Sequence, residues 1–305
     1  MRRDVAAMRQ KSGALLRLWS VGLIVCGLCL GGTSAACAAG RVEVFYAGSL
    51  VRLMEHSLGP AFEKATGFHF EGYAGGSNAL AEQIKGRLRP ADVFISAVPS
   101  VNSRLMGPQN GNWLKRYVRF AKSPLVIGYN PRSPFAKDFK TKPWLVVLEE
   151  PGLRIGRTDP KLDPKGRLTL SLLARVARAE HRPHLVTRIF GTPENPAQVL
   201  PEAELVGRLQ TGQIDVGFFY SLETAEAHIP SIALPAAITP HATYTVAILN
   251  RAPHEKAARA FVRFLLGPQG QRILSANGLE LIAPRHPAKR STRMPAGPNR
   301  RVHTP

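Results

Sequence analysis

The sequence contains few cysteines and few aromatic residues. Among its 305 residues only Cys26, Cys29 and Cys37 are cysteines, and aromatic residues make up 7%. The chain after Cys37 therefore has no internal disulfide bond and no site in which cysteine ligates a metal. Beyond the N-terminal region no apolar run reaches the roughly 18 residues of a membrane-spanning helix. With 44% hydrophobic residues, the body of the chain is expected to be globular with an apolar core.

Acidic residues are also scarce, at 21 against 41 lysines and arginines, which gives a net charge of +20. Residues 1–38 contribute five basic residues and one acidic residue, so the remainder keeps +16. A basic nucleic-acid-binding protein is one alternative. The basic residues are dispersed, however, and are not interleaved with aromatics. We therefore expect no nucleic-acid partner and attribute the charge to long-range attraction of an anionic ligand, which salt would weaken.

The N-terminal segment resembles an export signal. Arg2, Arg3, Arg9, Lys11 and Arg17 precede the apolar run from Val21 to Leu30, and Ala36-Cys37-Ala38 fits the cleavage pattern. This predicts a signal peptide at 1–39 and a periplasmic protein. An uncleaved membrane anchor and a lipoprotein attached through Cys37 are the alternatives, although Ser34 stands where a lipoprotein signal has Leu.

Hydrophobic periodicity predicts an α/β fold. The first part of the chain reads as strand, helix, strand, helix, strand at 41–47, 50–66, 68–73, 78–85 and 92–97. That order is typical of a parallel sheet covered by helices. Further strands are predicted at 123–129, 153–156, 215–220 and 244–249, and helices at 168–178, 202–211, 254–266 and 267–277. Residues 285–305 are rich in proline and basic residues, which predicts a disordered basic tail.

Two strand-to-helix corners contain a glycine followed by a serine. They are Ala47-Gly48-Ser49-Leu50 and Gly75-Gly76-Ser77-Asn78. A helix start offers unpaired amide hydrogens and a positive dipole end, and the serine hydroxyl adds a donor. Two such corners facing one cleft would bind a dianion with neutral groups alone. The alternative is that Ser49 and Ser77 are ordinary helix N-caps.

An ordered series of motifs resembles the molybdate/tungstate-binding proteins of ABC importers, across residues 41–284. The motifs are Val44-Phe45-Tyr46-Ala47-Gly48-Ser49-Leu50, Gly75-Gly76-Ser77-Asn78-Ala79-Leu80, Pro90-Ala91-Asp92-Val93-Phe94-Ile95-Ser96-Ala97, Ser123-Pro124-Leu125-Val126-Ile127, residues 156–166, Gly212-Gln213-Ile214-Asp215-Val216-Gly217-Phe218-Phe219-Tyr220 and Gly267-Pro268-Gln269-Gly270-Gln271.

The resemblance implies a two-lobed type II periplasmic-binding-protein fold, in which each lobe is a mainly parallel sheet flanked by helices. The first lobe would comprise 40–121 and 240–284, and the second 122–239. Two crossovers, near 120–124 and 235–243, would join the lobes. The ligand would lie in the cleft between them, at the carboxyl ends of strands.

The resemblance also implies the ligand-binding set Ser49, Ser77, Ser123, Asp163 and Tyr220. The protein would then be a monomer and not an enzyme. It would bind molybdate or tungstate and deliver it to an ABC transporter permease in the inner membrane. Apart from that ligand we expect no cofactor, and no residue is expected to ligate a cation directly.

Two departures bear on the geometry of the bound anion. In one branch of the family two carboxylates make the metal six-coordinate. Asp163 resembles the first of these, but Phe219 stands where the second would be, and Arg167 follows Gly166 where a tyrosine would stand. We therefore expect a four-coordinate, hydrogen-bonded anion. Alternatively, Asp163 is a turn residue and Tyr220 a core aromatic at a strand end.

Other functions remain open. Sulfate, thiosulfate and phosphate are also tetrahedral, and the sequence does not measure the width of a cavity. A serine hydrolase is a more distant alternative, because Gly75-Gly76-Ser77-Asn78-Ala79 nearly follows the nucleophile-elbow pattern, with Ala79 in place of its last glycine. None of the later histidines has the context of a catalytic histidine; they include His181, His184, His228 and His241.

Overall fold

The computed structural model describes residues 40–282, so the predicted signal peptide, the three cysteines and the predicted tail lie outside the described residues. Within that range the strands are β1 Arg41–Ala47, β2 His69–Gly75, β3 Val93–Ser96, β4 Val118–Tyr129, β5 Ile155–Thr158, β6 Val199–Leu200, β7 Val216–Tyr220, β8 Ser231–Ala233, β9 His241–Ile248 and β10 Glu280–Leu281.

The α-helices of the same range are α1 Val51–Leu53, α2 Gly59–Thr66, α3 Ser77–Lys85, α4 Pro99–Ser103, α5 Asp138–Thr141, α6 Trp144–Leu148, α7 Pro164–Ala179, α8 Leu185–Phe190, α9 Leu205–Gln210, α10 Ser221–Glu226, α11 Glu255–Leu266 and α12 Pro268–Ala276. Short 3₁₀ turns occur at Gly48–Leu50, Pro108–Asn110 and Glu202–Glu204, and Met54–Leu58 is a π-helical turn. In the described part of the chain no helix combines the length and the apolar character needed to cross a membrane.

The strands form one mixed sheet in the order β2-β1-β3-β9-β4-β7-β5-β6, with β8 and β10 also paired to β4. Strands β1, β2 and β3 are parallel, as the sequence predicted, and so are β7, β5 and β6. In the middle, β9 and β4 run antiparallel to their neighbours. The sheet thus consists of two parallel groups joined by antiparallel strands, and the α/β fold class is confirmed.

Strand β4 belongs to both halves of the sheet. Its residues up to Pro124 pair with β9, and from Leu125 onwards they pair with β7 and β8. We call the β2-β1-β3-β9 side the first half and the β7-β5-β6 side the second half. The partners change close to the predicted first crossover, while the exact lobe boundaries stay a prediction.

Alternation along the strands distributes apolar side chains to both faces of the sheet. On β1, Val44 and Tyr46 enter the largest hydrophobic cluster while Phe45 enters a second one under α3 and α4. On β7, Phe218 enters the first cluster and Phe219 a third one beside α9. Because side chains of a strand point alternately to opposite faces, apolar residues on both faces produce a sheet covered on each side.

Most predicted elements are present, with shifted ends. The predicted helix after β1 exists but is irregular, since it passes through a 3₁₀ turn and a π turn before α2. It ends at Gly67, whose φ of 75° lies in the left-handed region that glycine favours. Helix α7 begins at Pro164 rather than at 168, because Asp163 caps it and Pro164 occupies its first position. Strand β4 begins at Val118 rather than at 123.

Candidate functional site

The Ser49 corner lies directly after β1, in the 3₁₀ turn Gly48–Leu50. Ser49 is buried, and its Oγ lies 2.9 Å from the hydroxyl of Tyr244 on β9. The N-cap residue of this turn is Ala47, and no side chain makes a capping hydrogen bond to the turn. The alternative prediction that Ser49 is an N-cap is therefore wrong. Its hydroxyl takes part in a contact between β1 and β9, at the carboxyl end of β1.

The Ser77 corner follows β2 in the same way. Gly76 is the cap residue of α3 and Ser77 is the first helical residue, so Ser77 is not an N-cap either. Its buried Oγ accepts a 3.1 Å hydrogen bond from the backbone N–H of Ala97, just after β3. No histidine within residues 40–282 hydrogen-bonds to this hydroxyl, so the nucleophile–base contact of a hydrolase does not occur there.

The start of α3 contacts the second half of the sheet. The carbonyl oxygen of Leu162, in the loop after β5, accepts hydrogen bonds from the N–H groups of Asn78 at 3.1 Å and Ala79 at 3.2 Å. A Cβ on Gly76 would lie 2.5 Å from the same oxygen, so only glycine permits this approach. The two amide hydrogens that were expected to face an anion thus bind a protein carbonyl.

Tyr220 ends β7 and faces Tyr244 across the two halves, with ring centroids 6.2 Å apart. Its side chain is buried, and its Oη has no hydrogen-bond partner among residues 40–282. A buried hydroxyl without a partner costs free energy. Tyr220 is thus a core aromatic at a strand end, and its hydroxyl oxygen is in addition a donor that no described protein group uses.

Ser123 and Asp163 both form hydrogen bonds within the protein. Ser123 Oγ lies 2.9 Å from Ser221 Oγ and accepts a 3.3 Å bond from the N–H of Leu222. Asp163 Oδ1 accepts a 2.6 Å bond from the N–H of Lys165, which caps α7. This local bond agrees with the turn-residue alternative for Asp163. Its role toward a ligand stays a prediction.

A buried cluster of ionisable side chains, which we call the Lys165 cluster, adjoins these residues. It consists of Lys165, Glu202 and Glu223. Lys165 Nζ lies 2.7 and 2.9 Å from the two oxygens of Glu223 and 3.1 Å from Glu202 Oε1. Nζ also lies 5.4 Å from the centroid of the Tyr220 ring. We expected only neutral groups around the site, but the Lys165 cluster lies beside it.

Burial controls the protonation of this cluster. Burial alone lowers the pKa of Lys165, but Glu223 and Glu202 outweigh this effect and the ammonium is retained. Burial raises the pKa of Glu223 and of Asp163, and the positive charge of Lys165 opposes both shifts. Burial raises the pKa of Glu202 to about 8 despite Lys165, and the neighbouring charges of Glu223 and Asp163 add to the increase. At neutral pH Glu202 is therefore mostly protonated.

Glu202 reaches from the second half to the Ser49 corner. It begins the 3₁₀ turn Glu202–Glu204, and its Oε2 occupies the space beside Gly48, where a Cβ would lie 1.5 Å from it. This oxygen is buried and has no hydrogen-bond partner in the described range. Gly48 thus permits a carboxyl group to approach the backbone of the corner closely.

All five predicted residues are buried near the boundary between the halves, where Ser49, Ser77, Ser123 and Asp163 hydrogen-bond to different protein groups. The Tyr220 hydroxyl has no partner within residues 40–282. Sequence reasoning missed Tyr244, Lys165, Glu202 and Glu223. The only local signal is the position of Glu223, three residues after Tyr220, where its carboxylate accepts the N–H of Tyr220 at 2.7 Å. Asp92, at the other end of β3, accepts hydrogen bonds from the N–H groups of Glu43 and His254.

A mixed sheet with two parallel groups, and with buried polar side chains where the groups meet, defines a two-lobed α/β binding protein. The chain belongs to the bacterial extracellular solute-binding proteins, whose family pattern matches residues 42–280. The members of this family are solute-binding proteins rather than enzymes.

Three of the similar proteins have names that state a ligand. A protein of Haloferax volcanii, provisionally described as an ABC transporter molybdenum-binding protein, is 31% identical over 245 residues, with 78% of this chain and 74% of the relative covered. The molybdate/tungstate-binding protein of Pyrococcus abyssi is 24% identical over 310 residues, covering 84% and 89%. The periplasmic molybdate-binding protein of Azotobacter vinelandii has a similar structure, with a TM-score of 0.60 and 22% identity, covering 79% and 99%.

Proposed function

We propose that this protein binds molybdate or tungstate outside the cytoplasm and delivers it to the permease of an ABC importer. The observation that carries the proposal is the buried Tyr220 Oη, which has no hydrogen-bond partner among residues 40–282. The Tyr220 ring packs against Tyr244, whose hydroxyl bonds to Ser49. A tetrahedral oxyanion bound between the halves would accept a hydrogen bond from the Tyr220 hydroxyl. The names of the relatives support the choice of molybdate or tungstate over other oxyanions.

The binding groups are the hydroxyls of Ser49, Ser77, Ser123 and Tyr220. In this structure the Ser49 hydroxyl bonds to the Tyr244 hydroxyl, and the Ser77 hydroxyl accepts a hydrogen bond from the Ala97 N–H. Each hydroxyl still has the capacity for a further hydrogen bond, because a hydroxyl carries one donor and two acceptor positions. The Ser77 hydroxyl accepts the Ala97 amide, so its own hydrogen is available to an anion. Direct bonding of Asp163 to the metal is not part of the proposal, since its Oδ1 caps α7.

Competition calorimetry with molybdate, tungstate, sulfate and phosphate tests the proposal. We expect molybdate and tungstate to bind and to displace the other two. Ser49→Ala and Ser77→Ala should each weaken binding by about 1–3 kcal/mol, the cost of an unmet buried acceptor. Ser275→Ala, at an exposed position of α12, is the matched control and should leave affinity unchanged. Preferential binding of sulfate or phosphate would reassign the ligand, and unchanged affinity in both serine variants would refute the site.

A further inference from the structure

Glu202 Oε2 is a second buried polar atom at this boundary that lacks a partner within residues 40–282. The other oxygen of the carboxyl group, Oε1, accepts from Lys165 Nζ at 3.1 Å. Oε2 instead points to Gly48, next to the hydroxyl-bearing Ser49. An ionised carboxylate at this position would have no donor for one of its oxygens and would repel a dianion. A protonated carboxyl group has a hydrogen to donate.

The surrounding charges indicate which of these two forms is present. The titratable groups that face Glu202 are Lys165 of α7, Asp163 at the cap of α7, Glu223 of α10, Tyr46 of β1, Tyr220 of β7 and Tyr244 of β9. Lys165 Nζ contacts both oxygens of Glu223 but one oxygen of Glu202. The single ammonium therefore stabilises ionised Glu223 more than ionised Glu202. The three tyrosines keep their protons, because burial raises the pKa of each above its ordinary value.

We propose that the carboxyl group of Glu202, in its protonated form, donates a hydrogen bond from Oε2 to the bound oxyanion. Binding of the anion is then linked to one proton on Glu202. This inference rests on the proposed function, and it adds a binding residue and a pH dependence to that site. The site would favour a fully ionised oxyanion, since every ligand oxygen facing it can accept a hydrogen bond.

The test is calorimetry of molybdate binding by the full chain between pH 6.5 and 9.5, in buffers of different ionisation enthalpy. Glu202 in the free protein has a pKa of about 8. The affinity should therefore change little below that pH and decrease about tenfold per pH unit above it. At the alkaline end, about one proton should be taken up for each anion bound.

Three variants test whether Glu202 acts as the donor. Glu202→Gln keeps a donor that does not titrate, so its affinity should be close to that of the wild type at pH 7 and should not decrease above pH 8. Glu202→Ala removes the donor and should weaken binding about 10–100-fold at pH 7. Glu204→Gln, on the same turn but exposed and paired with Arg208 at 2.8 Å, is the control and should behave as the wild type.

Several outcomes would overturn the proposal. Equal or tighter binding by Glu202→Ala would show that the carboxyl group occupies the site or repels the ligand. A pH dependence that persists in Glu202→Gln would assign the proton to another group, and flat binding by the wild type would remove the linkage. If the wild type binds none of the four oxyanions at any pH, the proposed function itself fails, which is distinct from binding without proton linkage.

Discussion

Removal of one atom, the hydroxyl oxygen of Tyr220, should affect ligand binding and protein stability differently. Tyr220→Phe removes an oxygen that makes no hydrogen bond to residues 40–282. A buried hydroxyl without a partner costs about 1–3 kcal/mol, so its removal should leave the free energy of unfolding of the ligand-free protein unchanged or raise it by up to that amount. The same oxygen is the proposed donor to the anion. A hydrogen bond to a charged group contributes about 1.5–3 kcal/mol, so the Kd for molybdate should rise about 10–150-fold.

Urea denaturation of the ligand-free protein and calorimetry with molybdate measure the two effects. Tyr244→Phe is the matched control, because its hydroxyl bonds to Ser49 at 2.9 Å and its loss should destabilise the free protein by about 1 kcal/mol. Opposite signs for stability and affinity in Tyr220→Phe would support the assignment. A destabilised Tyr220→Phe variant with unchanged affinity would refute it, since the hydroxyl would then be structural.

Three further changes test the boundary between the halves. Lys165→Met leaves the buried Glu223 carboxylate without its cation and should lower the free energy of unfolding in urea by about 3–5 kcal/mol. Lys161→Met, in an exposed ion pair, should change it by less than about 1 kcal/mol. Gly48→Ala places a Cβ 1.5 Å from Glu202 Oε2. This overlap should weaken molybdate binding about tenfold or more in calorimetry, while Gly207→Ala, with no atom within 4 Å of the added Cβ, should not. The pKa of Glu202 is raised from 4.5 to about 8, so the folded protein keeps a proton that the unfolded chain releases. The free energy of unfolding should therefore decrease relative to that of Glu202→Gln as the pH rises across this window, by at most about 1.4 kcal/mol per pH unit; an increase would contradict the assignment.

Much of the fold could be predicted because its signal is local. In the run from Arg41 to Ser96, apolar residues alternate in the strands and recur at helical spacing in the helices, and the structure confirms the parallel arrangement of β1, β2 and β3. The antiparallel pairing of β4 with β9 was not predicted. It joins residues more than a hundred positions apart, such as Lys122 and Thr243, and no local pattern encodes such a register.

The five predicted site residues could be named because they occur in short motifs that resemble those of the family. The Lys165 cluster could not be predicted in this way. Lys165 and Glu223 are 58 positions apart, and Lys165 and Glu202 are 37 positions apart. Each is a charged residue of a type that usually lies on the surface. Only the folded chain shows that the three are buried together, and burial is what shifts the protonation of Glu202 toward neutrality.

The contact between Leu162 and α3 has a consequence for the approach of a ligand. A loop of the opposite half caps this helix, so any separation of the two halves releases the N–H groups of Asn78 and Ala79 to water. A separated protein would then present a bare, electropositive helix end to a diffusing anion. When the halves come together again, the loop carbonyl replaces water at these amides and removes that attraction. The N–H groups of Asn78 and Ala79 would thus attract the anion while the halves are apart, and would bind the Leu162 carbonyl once the halves are together.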